Sequence, residues 1–340
     1  MTNSKQSAFS PGSVQSSSVG RRTKLNIPEL VNELQAAVSE HGDLTKSNYE
    51  GRSLGTLWAN LDAILDIHPN RFSRVKTKQL SRIMAAHPTM SLEVLQGGTF
   101  VDFGCGGLNP LSGMLVMIAA GAGRYTGIDL DPLNETLALR AAAKTAMELI
   151  AEPRLYLEPY PITREQVRKN LEGLDIRSLA RGEADALKGF PLEYRNVSAD
   201  ATGIDSASVD GTTSISFLEH VPDPDLVIEE IARIGKPGAI GVHAIDGADH
   251  RSYPSRTIGP LDFLTLDSKE PLLFGCNRVR PLDFVDRFER HGFEVLECIV
   301  TREEPVSERM RSTMVEPYRS MSLETLAAIG VRVQVCKRDA

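Results

Sequence analysis

The sequence predicts an α/β protein: a mainly parallel sheet, doubly wound with helices on both faces, behind an all-helical leader. Three observations predict it. From residue 97 onward, short β-rich runs alternate with helical patterns, as in repeated strand–helix units. The first run, TFVDF (99–103), leads straight into glycines, and the second, YTGIDLD (125–131), ends in carboxylates. Residues 21–95 carry helical spacing and no strand signal.

The leader comes first in the chain. Residues 28–40 place Leu30, Val31, Leu34, Ala37 and Val38 on one helical face, and His41-Gly42-Asp43 ends it. Residues 54–67 repeat the pattern with Leu54, Leu57, Trp58, Leu61, Ile64 and Leu65. A third helix, 75–86, stops at His87-Pro88. Trp58 reads as a packed aromatic of this leader, and with Tyr49 it is also a candidate lid over a site below. After 99–103 come a helix at 110–120, the strand 125–131 and a long helix at 132–151. Residues 152–191 hold helical pieces with two proline breaks and read as an insertion. Strands follow at 192–199, 209–216 and 239–246, with a helix at 223–234 opened by Pro222-Asp223-Pro224. A helix at 282–290 and strands at 293–301 and 331–338 complete the pattern. The expected organisation is a disordered tail (1–20), a helical cap (21–96) and a sheet domain (97–340) with insertions at 152–191 and 247–280.

Composition bounds the function. The 340 residues are 41% hydrophobic and 24% charged, an ordinary globular balance that excludes a disordered or fibrous chain. Thirty-eight basic against 45 acidic residues leave a net charge of −7, which disfavours general binding to nucleic acid. The 4 cysteines form no CxxC pair and have no histidine at zinc-ligand spacing, so reduced thiols and no metal site are expected. The Ser- and Gly-rich first 20 residues lack the apolar core of a secretory signal. No apolar run, 111–123 included, is long and unbroken enough to span a bilayer. A cytoplasmic location is expected by elimination.

The richest segment is VDFGCGG (101–107). In a doubly wound sheet, ligands bind beyond the carboxyl ends of the strands, and glycines there admit close backbone approach. Asp129 ends the next strand, where a carboxylate can accept hydrogen bonds from a ribose. Two nucleoside ligands fit that pattern. A dinucleotide wants GxGxxG for its pyrophosphate, but here Asn109-Pro110 falls where the third glycine would stand, and Asp102 would oppose a phosphate. An acidic residue suits instead the sulfonium and ammonium groups of S-adenosylmethionine.

On these segments residues 97–300 resemble a class I S-adenosylmethionine-dependent methyltransferase of the small-molecule, type 11-like group. VDFGCGG resembles the first motif, which lays Asp102, Gly104, Cys105 and Gly106 against the methionine part of the cofactor; Cys105 is also a small packing residue there. YTGIDLDP resembles the second, so that Asp129 would hold the ribose and Leu130 flank the adenine. VSADATGI (197–204) resembles the third, which assigns Asp200 and Ala201 to the adenine amino group. The stretch 208–242, with LEHVPDP and KPG, resembles the fourth strand, its helix and the fifth strand, and places Ser216 at the cofactor. Leu108 stands where the common GxGxG loop has another glycine, and the insertion at 152–191 is longer than usual. SFLEH replaces the Asn/Asp-Pro-Pro-aromatic signature of base methylation. The resemblance implies a Rossmann-like, seven-stranded sheet whose last strand runs antiparallel.

Methyl transfer needs in-line alignment, and a hydroxyl acceptor also needs a base. His250 and Asp249 follow the fifth strand and are the first candidates, His220 after the fourth strand the next. His243, inside a strand, reads as a packed core residue. Arg278 and Arg280 flank Val279 and could clamp an acidic acceptor group, or pair with Asp283, Asp286 or Glu289. The leading expectation is O-methylation of a natural product or sugar, with N- or C-methylation, a nicotinamide-dependent oxidoreductase and a non-catalytic binding subunit as alternatives. A homodimer is left open.

Overall fold

The computed structural model describes residues 26–41, 61–67, 92–158 and 160–339, with the side chains of 37–41 excepted. The tail at 1–20, the helix expected at 75–86, the first half of that at 54–67, and Tyr49 and Trp58 lie outside the described residues.

Seven strands form one sheet: β1 (Thr99–Phe103), β2 (Arg124–Asp129), β3 (Leu192–Asn196), β4 (Val209–Ile215), β5 (Gly235–Asp246), β6 (Phe293–Glu303) and β7 (Ala328–Lys337). Their order is β3-β2-β1-β4-β5-β7-β6. The β1–β2, β1–β4, β2–β3 and β4–β5 pairs are parallel, and β7 runs antiparallel to both neighbours. The order reverses at β1, so the ends of β1 and β4 open the crevice in which such sheets hold ligands. The carboxyl ends of β1, β2 and β5 each carry an acidic residue: Asp102, Asp129 and Asp246.

Helices cover both faces, which is why the parallel strands read as continuous apolar runs. On one side lie α1 (Ile27–His41), α2 (Pro110–Ala120) and α3 (Glu135–Ala151). Val31, Leu34, Leu61 and Leu65 share a core with Met114, Leu115, Ala142 and Leu149, so the described part of the leader packs on the sheet domain. Arg140 holds Asp66 at 2.9 Å across that contact. The 152–191 insertion joins the same core through short helical pieces, among them α4 (Arg164–Asn170) and α5 (Ile176–Arg181). Thr163 and Gln166 form a reciprocal cap at the start of α4, and Asp175 caps α5. On the other side α6 (Pro224–Ile234) and α7 (Asp283–Arg290) cover Val101, Phe103, Ile128 and Val333.

A third, smaller core joins Phe263, Leu264 and Cys276 of the 247–280 insertion to Met314, Tyr318 and Leu326. Those last residues lie between β6 and β7, which sequence patterning left blank. Short helical turns at Glu308–Ser312 and Leu323–Ala327 escape periodicity because each spans barely one turn.

Candidate active site

The glycine loop is shaped by three constraints. Gly104 adopts φ +71° and Gly106 φ +78°, a region that disfavours side chains. A Cβ on Gly104 would come within 2.1 Å of the Phe217 ring, so that glycine is required by packing as well as by φ. A Cβ on Gly106 would meet nothing within 4 Å: the loop faces open space there. Cys105 Sγ packs on the face of Gly127, where an added Cβ would be 2.7 Å away. Burial pushes its thiol well up, which suits packing rather than reactivity.

Asp129 ties the loop to β2. Its carboxylate accepts from the backbone N–H of Gly106 at 2.6 Å and of Asp131 at 2.9 Å. A carboxylate has about four acceptor positions, so lone pairs remain for two ribose hydroxyls. Asp102 accepts from Thr213 Oγ1 at 2.7 Å, and Thr213 in turn meets Tyr125 OH at 3.0 Å. The β1–β4 register sets Thr213 opposite Asp102. Burial first, with Asp129 adding to it, raises the Asp102 carboxyl to about 7; the Thr213 hydrogen bond opposes the shift. A cationic ligand would relieve that cost.

A cavity of about 420 Å³ opens beside this loop. Gly104, Asp129, Leu130, Asp200 and Ser216 line it, and so do Phe217, His220 and Leu226. Ser216 holds φ +50°, which turns the chain at the end of β4. Ser198 donates to Asp200. Asp102, Cys105, Gly106 and Ala201 are not among the lining residues. The acid-flanked glycine loop, the open face of Gly106 and the strand-end carboxylate fit S-adenosylmethionine: Asp129 would take its ribose, Asp200 its adenine, and Asp102 its positive end.

A second polar cluster stands at the ends of β4 and β5. The His220 and His250 rings meet edge to face, 4.7 Å between centroids. Burial, with His220 beside it, lowers the His250 pKa, although Asp246 pulls the other way. The carboxylate facing His250 is Asp246, 3.9 Å from Nε2. Asp249, the expected partner, is fully buried and accepts from Arg251 Nη2 at 2.6 Å. It also caps the turn that follows, so it holds the His250 loop in shape. Arg302 and Tyr253 both hold Asp246.

The expected arginine clamp does not form. Arg280 is fully buried and donates to the carbonyl oxygens of Gly247 (2.8 Å), Ala328 (3.1 Å) and Leu326 (3.3 Å). Arg278 donates to the carbonyls of Leu266 and Ser268, both at 3.0 Å. Alternation along an extended chain does not apply, because Arg278 sits at φ +63°. His243 is buried, stacks on Phe288 and meets Ser214 Oγ at 2.9 Å; burial lowers its pKa to about 3. That is the packed core histidine expected.

Sequence reasoning missed Glu219, Asp246, Tyr253 and Cys276. Asp246 had a signal, since it ends β5 as Asp129 ends β2. Glu219 is 1% exposed, accepts from the Asp246 N–H at 3.2 Å, and is raised to about 8 chiefly by burial. Nothing in the local sequence marks it for burial.

Strand order, a reversed seventh strand and a glycine loop between strand-end carboxylates make a Rossmann-like, doubly wound sheet. Within the chain, residues 155–242 match the family model described as a methyltransferase domain. A ubiquinone biosynthesis O-methyltransferase of Paracidovorax citrulli is 30% identical over 148 residues, 43% of this chain and 43% of that protein. Its counterpart in Cupriavidus pinatubonensis is 33% identical over 73 residues, 20% of this chain and 29% of that protein. The chain thus spans less than half the length of these curated relatives. Among solved structures, a S-adenosylmethionine-dependent methyltransferase of Methanosarcina mazei is 20% identical with TM-score 0.41, over 75% of this chain and 99% of that one. Among the described residues no helix is long and apolar enough to cross a membrane.

Proposed function

We propose that the protein transfers a methyl group from S-adenosylmethionine to a small-molecule acceptor, by preference the hydroxyl of a natural product or sugar. When bound, the cofactor supplies a sulfonium-activated methyl group. The observation that carries this reading is the adjacency of two sites: the cavity lined by Asp129 and Asp200 is also lined by His220, whose ring touches His250. Asp129, tied down by the Gly106 N–H, holds the ribose, and Asp102 balances the positive charge. Phe217 and Leu226 give the cavity apolar walls that exclude water.

A hydroxyl must lose its proton as its oxygen attacks. His250, kept neutral by burial, offers a nitrogen lone pair to take it. Asp246 then steadies the imidazolium, and Arg302 and Tyr253 hold Asp246 in place. Asp249 positions the loop. The O-methyltransferase names of the partial relatives support a hydroxyl over an amine or carbon acceptor. The four cysteines are unpaired, in keeping with a reducing, cytoplasmic setting.

Calorimetric titration with S-adenosylhomocysteine and, separately, with NADH tests the class. Binding of the first is expected. Binding of NADH alone would replace the reading with an oxidoreductase. Turnover of S-adenosylmethionine against a panel of hydroxyl, amine and carbon acceptors then sorts the acceptor atom. Cofactor binding without turnover of any acceptor would favour a non-catalytic subunit.

A further inference from the structure

Three separate loops converge beside the cavity. His220 ends the turn after β4, His250 opens the turn after β5, and Cys276 closes a tight loop at 273–276. One ligand atom from each, an imidazole nitrogen twice and Cys276 Sγ, lie within 4.8 Å of one another. Small side-chain rotations bring such a trio to the spacing a single ion needs.

Two further observations point to a cation there. His220 Nδ1 lies 2.6 Å from the Gly275 carbonyl oxygen, which can only accept. Nδ1 therefore carries the proton and Nε2 presents its lone pair, the backing that holds metal-ligating imidazoles. His250 Nε2 is buried with no hydrogen-bond partner, and so is Oε2 of the buried Glu219. Buried polar atoms of this kind are normally satisfied, so the unpartnered His250 Nε2 in the cluster points to a missing partner. Burial first, and then the acidic Glu219, Asp246 and Asp249, raise the Cys276 thiol to about 11, so the thiol holds its proton until a cation displaces it. Of the latter two, Arg302 holds Asp246 and Arg251 holds Asp249.

We propose that His220, His250 and Cys276 bind a divalent transition ion of the zinc type. Two imidazoles and a thiolate suit zinc or cobalt and not magnesium or calcium, which take oxygen ligands. Binding releases the Cys276 thiol proton to solvent. Three protein ligands would leave a fourth position open, and His220 places the cluster at the edge of the cavity. That position can take water or the acceptor oxygen. With an ion bound, the site would supply Lewis-acid polarisation of an acceptor hydroxyl, whose proton would pass to water, and the base role given to His250 above would belong to the metal-free protein. This catalytic consequence rests on the methyltransferase reading, whereas the binding does not.

The test is titration of the chelator-treated full chain with cobalt(II), followed by absorption. One equivalent should bind with a thiolate-to-cobalt charge-transfer band and the visible bands of a tetrahedral site. Cys276→Ser should abolish the charge-transfer band and weaken binding about tenfold or more. His220→Ala, at the rim of the cluster, should weaken it similarly and serves if the cysteine variant fails to fold. Failure to bind one equivalent, a band that survives Cys276→Ser, or affinity unchanged in His220→Ala overturns the proposal. S-adenosylhomocysteine binding is measured on the same samples. Its loss with cobalt binding intact defeats the cofactor reading alone, and the converse defeats the metal site alone.

Discussion

The two ends of the cleft are built differently. At the β1–β2 end, contiguous segments do the work: the glycine loop at 104–107 and Asp129 are joined through backbone amides. At the β4–β5 end, side chains from loops far apart in sequence meet: His220, Asp246, His250, Tyr253 and Cys276. On the proposed function the first end would hold a part of the ligand common to every turnover, for which fixed backbone geometry suffices. The second would suit one acceptor, and loop side chains can change without disturbing the sheet.

Variants at each end should therefore fail in different ways. The largest effect is expected from His250→Ala: turnover falls ~10²-fold or more while S-adenosylhomocysteine affinity stays put. Steady-state kinetics beside calorimetry checks this, and equal loss in both would merge the two ends into one site. Next, Asp129→Ala should weaken cofactor binding by about 1–3 kcal/mol, since it removes hydrogen bonds to a charged group and frees the Gly106 loop. An unchanged dissociation constant removes Asp129 from the ribose role.

Asp102 offers a pH test at the cofactor end. Its folded pKa of about 7 lies above the ordinary 3.8, so the folded state binds the proton more tightly than the unfolded one. The stability this confers is full below pH 3.8 and is lost as pH rises towards about 7. The melting temperature of Asp102→Asn should accordingly gain on the wild type across that window, by thermal denaturation. Affinity for S-adenosylmethionine should rise with pH over the same range in the wild type and stay flat in the variant. A constant melting difference would show that Asp102 ionises normally. The smallest effect is expected from Arg278→Ala, whose guanidinium only meets loop carbonyls: KM for the acceptor should move less than about twofold. A large rise in KM would restore the clamp.

Much of the cofactor end was legible in the sequence. A strand, an acidic residue and glycines are adjacent in the chain because the loop they form is local, and Asp129 ends the next strand by the same logic. The acceptor end was legible only in part. His250 and His220 stood out as residues after strands, but the neighbouring Asp249 looked like the partner and is held by Arg251 instead. Asp246 faces His250 because strand-end geometry, not adjacency, aims it there. Arg280 shows the same limit: a guanidinium expected in the cleft is buried against three carbonyls between β5 and β7.

Sequence by itself determined the doubly wound sheet, the glycine loop and the carboxylates at the ends of its first two strands. These follow from short-range periodicity and from glycine's backbone freedom, which act within a few residues. Only the tertiary structure decided that His220, His250 and Cys276 share one corner, that Glu219 is buried beside them, and that the described leader packs into the main core. Those outcomes depend on how loops from distant segments close over the sheet, and contacts of that kind leave no spacing in the chain to read.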